Sequence, residues 1–191
     1  MQNHFYAMMS RMKNIYRWGL MRNTRRENLS EHSLEVAQIA HALAIIGNKR
    51  LGKSYDTNLA ATVAMYHDTA EIITGDMPTP IKYYNGEIKR AYKQIEEVAE
   101  KQLINMLPDD FKNDFEKIYS PEREISELVK AADKISAIIK CTEELNMGNR
   151  EFSVAERTLR QALKDMSVPE ADIFVDEFLP SFTLSLDEQK G

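Results

Sequence analysis

His67 follows Ala60 and Val63 at seven and four residues, so in a helix it continues their apolar face, and Glu71 lies one turn further along. Asp68 follows Ala64 by four and stands at the edge of the same surface. A histidine and two carboxylates on a core-facing stripe are costly to bury unless they are paired or bind a metal. Asp133 repeats the pattern: it lies four residues after Val129, between Ala132 and Ile135, where an aspartate is a poor helix former and needs a cationic partner. An arginine or lysine from another helix would serve it as well as a metal would. His32 sits two residues before another apolar stripe begins. Together His32, His67, Asp68 and Asp133 offer two imidazoles and two carboxylates, a donor set suited to one divalent transition metal with positions left for water. Charges at a surface helix end are the alternative use of His67, Asp68 and Glu71. His41, nine residues after His32, falls on the opposite side of its helix, and His4 has no supporting context.

Helices must carry these groups. Met8, Met9, Met12, Ile15 and Tyr16 suit a first amphipathic helix, interrupted by residues 17–29. Asn28 or Ser30 caps a second, with the stripe Leu34, Ala37, Ala40 or His41, Leu43 and Ala44 and with Gly47 just past its end. A third opens at Thr57 or Asn58 and closes at Gly75. Met77-Pro78-Thr79-Pro80 cannot continue it, since two prolines remove donors and restrict their predecessors. Ile88, Ala91, Ile95, Val98 and Leu103 mark a further helix, followed by a short segment over residues 108–119. Pro121 sits at the first turn of a long helix through Ile125, Val129, Ile135 and Ile139 that ends before Gly148. Two more cover about residues 152–163 and 170–179. The expected fold class is all-α, one helical domain over residues 1–191, with no repeat or linker to divide it.

Composition narrows the function classes. The 191 residues, 43% hydrophobic, suffice for one core. Seven Gly and six Pro are too few for a sandwich or barrel of many short strands. Apolar runs such as residues 42–46 stop at five, far short of a membrane span, and basic residues interrupt the N-terminus where a signal peptide would be apolar. These readings predict a soluble, cytoplasmic protein without a membrane partner. Cys141, the only cysteine, excludes an intrachain disulfide or a multi-thiolate metal site and is expected to be buried. The net charge of -5 argues against binding a nucleic-acid polymer. Yet the first thirty residues hold six Lys/Arg against the single acid Glu27, a local anion site or a solvated basic face.

The adjacent His67-Asp68 pair with an upstream His32 and a downstream Asp133 resembles the HD-domain metal-dependent phosphohydrolases. The longer string is more specific: Arg17-Trp18, Glu31-His32-Ser33, His67-Asp68-x-x-Glu71, residues 75–80 with Lys82, Asp133, Glu143-Glu144-Leu145 and residues 180–188. It is similar, over nearly the whole chain, to the bacterial 5'-deoxynucleotidases of the YfbR type. The resemblance implies a helical HD domain, a homodimer, and hydrolysis of deoxyribonucleoside 5'-monophosphates to deoxyribonucleoside and phosphate. It carries over His32, His67, Asp68 and Asp133 as ligands of one divalent cation, Co, Mn, Zn or similar. Glu71, outside the ligand set, is then placed to accept a proton from the attacking water, and Arg17 to neutralise phosphate oxygens with its planar fork. By the same resemblance Asp76 hydrogen-bonds the sugar 3'-hydroxyl, Trp18 crowds out a 2'-hydroxyl, and Thr79 and Lys82 contact substrate. Core packing is the other use of Trp18. Two further functions remain open at this stage: an HD hydrolase of cyclic nucleotides or guanosine tetraphosphate, and a non-catalytic nucleotide-binding module with a structural metal. The first needs more histidines than His4 and His41 can supply, and the second has no use for Glu71.

Overall fold

The structure, a computed structural model, describes residues 3–82 and 84–190. Among these there is no strand, only an isolated antiparallel bridge between Tyr16 and Asn28. In chain order the helices are α1 (Phe5–Met9), α2 (Leu29–Arg50), α3 (Thr57–Tyr66), α4 (Glu71–Thr74), α5 (Thr79–Lys82), α6 (Gly86–Ile104), α7 (Lys112–Tyr119), α8 (Arg123–Asn146), α9 (Ser153–Asp165), α10 (Pro169–Glu177) and α11 (Leu186–Gln189). The all-α expectation holds. None of these helices is long and apolar enough to cross a membrane.

The long helices α2 and α8 form the spine, with α3 and α10 packed against them. Leu43, Ala44, Ala60, Ala64, Leu128, Ile135, Ile138 and Phe174 fill the space between. Small residues at positions 44, 60 and 64 let α2 and α3 approach closely, so a polar side chain at the end of α3 lies against the middle of the spine. A second apolar cluster joins α1 to α6 and α7: Phe5 packs edge-on against Phe115 at 4.8 Å, and Tyr66 meets the same ring at 5.4 Å. Cys141 is buried in α8, as expected.

Several boundaries differ from the sequence reading. Asn28 rather than Ser30 caps α2, accepting from the N–H groups of Ser30 and Glu31 while Glu31 reaches back to Asn28 in a capping box. Gly47 lies inside α2, not past it. A β-carbon there would sit 2.4 Å from the Tyr55 ring, so the glycine serves close packing, and Gly52, at φ +67°, follows the helix end. Leu34, read as core, is exposed. Pro121 precedes α8, whose N-cap is Glu122. The preceding helix, α4, has already ended at Thr74, and a new turn, α5, starts within the Met77–Pro80 stretch at Thr79 and includes Pro80. On α6 the inward residues are Tyr92, Ala99 and Leu103, whereas Ile95 and Val98 face outward at 53% and 55% exposure.

Candidate metal centre

The helix expected over residues 57–75 tightens where the chemistry sits. From His67 to Ile73 the backbone N–H groups bond three residues back instead of four: His67 to Ala64, Thr69 to Tyr66, Glu71 to Asp68 and Ile72 to Thr69. This over-wound turn separates α3 from α4 and turns His67, Asp68 and Glu71 towards the spine. Gly75, at φ +74°, closes α4 in a conformation that favours glycine and leads the chain to Asp76.

Three helical regions converge there. One donor atom each from His32, His67, Asp68 and Asp133 lies within 4.8 Å of all the others. His67 donates from Nδ1 to the Ala64 carbonyl at 2.7 Å, leaving Nε2 with its lone pair directed at Asp68 Oδ2, 3.1 Å away. His32 is fully buried; its Nδ1 lies 3.1 Å from Ser136 Oγ, whose hydroxyl donates to Glu35 at 2.6 Å. Ser136 therefore accepts from His32 Nδ1–H, which points Nε2 at Asp133 Oδ1 (3.2 Å) and Asp68 Oδ2 (3.6 Å). Neither buried Nε2 atom has a hydrogen-bond partner, although unpaired buried nitrogens are rare. Two lone pairs and two carboxylates facing one point suit a divalent cation with nitrogen and oxygen preferences.

The electrostatics agree. Burial opposes the charge of Asp68, but the neighbouring His67, His32 and Arg17 hold it well below the usual carboxylate range. Burial likewise works against Asp133, yet His32 and Arg17 bring it to about 2. These carboxylates stay ionised and hold negative charge where a cation would sit. Burial and Arg17 disfavour the charged form of His32, but the facing carboxylates of Asp133, Asp68 and Glu27 outweigh them and raise its pKa well above normal. A cation must displace that proton. Metal affinity is therefore expected to rise with pH, with protons released on binding. Calorimetric titration in buffers of differing ionisation enthalpy measures the release; a pH-independent affinity would contradict the assignment of His32 as a ligand.

Glu71 is 5% exposed and its Oε2 has no partner. Burial first, then the Asp68 and Asp76 charges, push its pKa up to about 9, against the pull of Arg17 and Lys82. Arg17 donates to Asp68 Oδ2 at 3.1 Å and lies 3.8 Å from Asp133. The isolated bridge and the loop of residues 17–28 hold it there: Arg17 N–H donates to the Glu27 carbonyl, and buried Glu144 grips the far end through the N–H groups of Thr24 and Arg25. Lys140 donates to both Glu144 and the Arg25 carbonyl.

Trp18 packs its ring 5.3 Å from Phe152, and Asp76 is half-buried near the Trp18 backbone and Glu71. Lys82 is engaged by Glu96 at 2.9 Å and lies over the Tyr92 ring, close enough for its charge to bear on Glu71. Thr79 stands exposed at the start of α5. The cluster borders a cleft of about 1180 Å³ with His67 and Asp133 in its wall, large enough for a nucleotide. The sequence reading missed Ser136 and Glu35 behind His32, Glu27 beside Trp18 and Arg17, and the Lys140–Glu144 anchor. Their only sequence signal is polarity on a helix face or in a loop, and apart from Glu27 and the i,i+4 contact of Lys140 with Glu144 their partners lie about a hundred residues or more away.

Known proteins are similar to this chain over nearly all of its length. A family model described as 5'-deoxynucleotidase YfbR-like matches residues 4–182. The 5'-deoxynucleotidase VP0926 of Vibrio parahaemolyticus is 50% identical over 190 residues, 98% of each chain, and the 5'-deoxynucleotidase ECA3034 of Pectobacterium atrosepticum is 50% identical over 98% of this chain and 96% of its own. Among solved structures, an HD-domain phosphohydrolase from Listeria innocua superposes with a TM-score of 0.81 at 21% identity, covering 98% of this chain and 92% of the other. The cyanophage S-2L HD phosphohydrolase DatZ, bound to dA and one catalytic Zn2+ ion, gives 0.66 at 21% identity, covering 92% and 96%. The helical scaffold, the paired His67-Asp68 turn and full-length similarity thus converge: the chain belongs to the YfbR-like 5'-deoxynucleotidase family and has the HD-domain fold.

Proposed function

We propose that this protein is a metal-dependent 5'-deoxynucleotidase, in which His32, His67, Asp68 and Asp133 hold one divalent cation and water cleaves the bond between phosphorus and the 5'-oxygen. The products are a deoxyribonucleoside and inorganic phosphate. The pair of buried, unpartnered imidazole Nε2 atoms facing Asp68 and Asp133 carries the reading. DatZ, of the same fold, is bound to dA and one catalytic Zn2+ ion. The cation supplies polarisation of the phosphate and acidification of a water. Glu71, buried and unpartnered at Oε2, would take the proton from the attacking water once the charge of the bound cation keeps its carboxyl ionised. Arg17, bridging Asp68 and Asp133, presents its guanidinium to the phosphate oxygens. Asp76 accepts from the 3'-hydroxyl and Trp18 walls off the 2' position, with Thr79 and Lys82 at the edge of the substrate site.

Phosphate release from a panel of 5'-, 3'-, deoxy- and ribonucleotides with Co, Mn, Mg and Zn tests the class of reaction. Within it, Trp18→Ala is expected to lower the dAMP/AMP ratio of kcat/KM, because crowding by an apolar wall supplies only about 10² of discrimination. Asp76→Ala should weaken turnover of both substrates, since both present a 3'-hydroxyl. An unchanged ratio in Trp18→Ala would return that residue to packing alone.

The assembly is a homodimer in this reading. Ile95 and Val98 on the outward face of α6 offer apolar surface that a second copy would cover. Light scattering should give twice the 22.0 kDa of one chain; a monomer at micromolar concentration would overturn this. In this reading the enzyme works in the cytoplasm, where nucleoside monophosphates are formed.

A further inference from the structure

Trp18 has a left-handed backbone, φ +59°, which bulky residues rarely adopt and which persists only where surroundings hold it. Its indole Nε1 donates to Glu27 Oε2 at 2.9 Å. Arg17 Nε lies 3.6 Å from that oxygen, and His32 Nδ1 lies 3.5 Å from the other. The groups around this one carboxylate, an indole, a guanidinium and an imidazole whose Nδ1 carries the proton, all present N–H donors. The indole N–H is bonded to this carboxylate, while the guanidinium and imidazole face its two oxygens at longer range, so a group that accepts at both atoms suits all three. The backbone adds to the fit, since Arg17 N–H donates to the Glu27 carbonyl at 3.0 Å. On its other side the Trp18 ring has Phe152, and the Trp18 carbonyl accepts from Asn23 Nδ2 and Met21 N–H.

We propose that Glu27 is a positioning residue that sets the preference for deoxyribose: without touching substrate, it holds the Trp18 indole where it crowds the 2' position and orients Arg17 towards the phosphate. The inference rests on the reading of Trp18 given above. A carboxylate that merely stabilised the loop would affect both sugars alike, whereas a group that aims the indole acts on their ratio. Because Ser136 also holds His32 Nδ1, removal of Glu27 leaves that imidazole oriented and the metal bound.

The test uses the fact that Trp18 is the only tryptophan, so its fluorescence reports the indole directly. Glu27→Ala is expected to keep its metal, shift the emission to the red, increase quenching by acrylamide, and lower the dAMP/AMP ratio of kcat/KM by roughly 10-fold of the about 10² that crowding supplies. KM for dAMP should rise more than kcat falls, as Arg17 loses its alignment. Glu27→Gln keeps an acceptor for the indole and should restore most of the ratio and the emission. In a Trp18→Ala background, Glu27→Ala should lower the ratio no further, since the two residues act as one device. Glu27→Met retains volume without an acceptor and takes the place of the alanine variant if that one does not fold. If Trp18→Ala lowers the ratio while Glu27→Ala and Glu27→Met leave it unchanged, Glu27 has no such role although the reading of Trp18 stands. If Trp18→Ala itself leaves the ratio unchanged, the reading of Trp18 fails and the proposal with it.

Discussion

Asp133→Ala is expected to fold, to bind no metal at stoichiometric concentration and to release no phosphate above background. Asp133 caps no helix and fills no core; it interrupts the apolar face of α8 between Ala132 and Ile135, which are fully buried. Its carboxylate faces His32 at 3.2 Å and Arg17 at 3.8 Å, so its removal leaves three donors and one fewer negative charge around the cation. Loss of a group that only orients a metal ligand already costs about 10–100-fold in affinity or activity, and loss of the ligand itself should exceed that. Elemental analysis after dialysis, paired with circular dichroism to verify the fold, checks the outcome. A variant retaining parental metal and turnover would remove Asp133 from the ligand set.

Glu71 separates proton transfer from coordination. Glu71→Gln should keep the metal and bind dAMP with nearly the parental KM, while kcat falls by roughly 10² to 10⁴, the usual contribution of a general base. The metal-free protein offers a second readout. The folded-state pKa of Glu71 stands at about 9 against an ordinary value of 4.5, so between those limits the folded chain holds a proton that the unfolded chain gives up. Its contribution to stability is thus fully present below the unfolded value and declines as pH rises towards 9. Glutamine carries no such proton, and the Tm advantage of Glu71→Gln over the parent should widen from pH 5 to pH 8. A kcat close to the parental value would leave Glu71 a structural group, and an equal Tm at all pH values would show its carboxyl to be unperturbed.

Most of the chemistry was legible in the sequence because it violated the helical period. His67 and Asp133 stand where Ala60, Val63 and Val129 predict apolar neighbours, and a polar group on such a face announces itself without any knowledge of its partner. Local signals also set the ends of α2 and α8: the Asn28 capping box works within four residues, and Gly148, at φ +83°, follows Met147 where the last carbonyls need donors. Periodicity says which face of a helix seeks burial, but not what covers it. Ile95 and Val98 have the spacing of core residues, yet α6 turns Tyr92, Ala99 and Leu103 inward instead. Nor could sequence place Gly47 within a helix rather than after one, since the reason is the Tyr55 ring, eight residues on and folded back against it.

The sequence by itself determined the helical class, the residues that could bind a cation and Glu71 as the carboxylate beside them. Only the tertiary structure decided that these residues meet within 4.8 Å, which imidazole nitrogen each histidine turns towards the centre, and that Glu27 joins Trp18, Arg17 and His32. The physical reason is range. Helical period and capping act over three or four residues, whereas the bond from His32 to Ser136 spans 104 positions and that from Thr24 to Glu144 spans 120, so they exist only once α2 and α8 have packed.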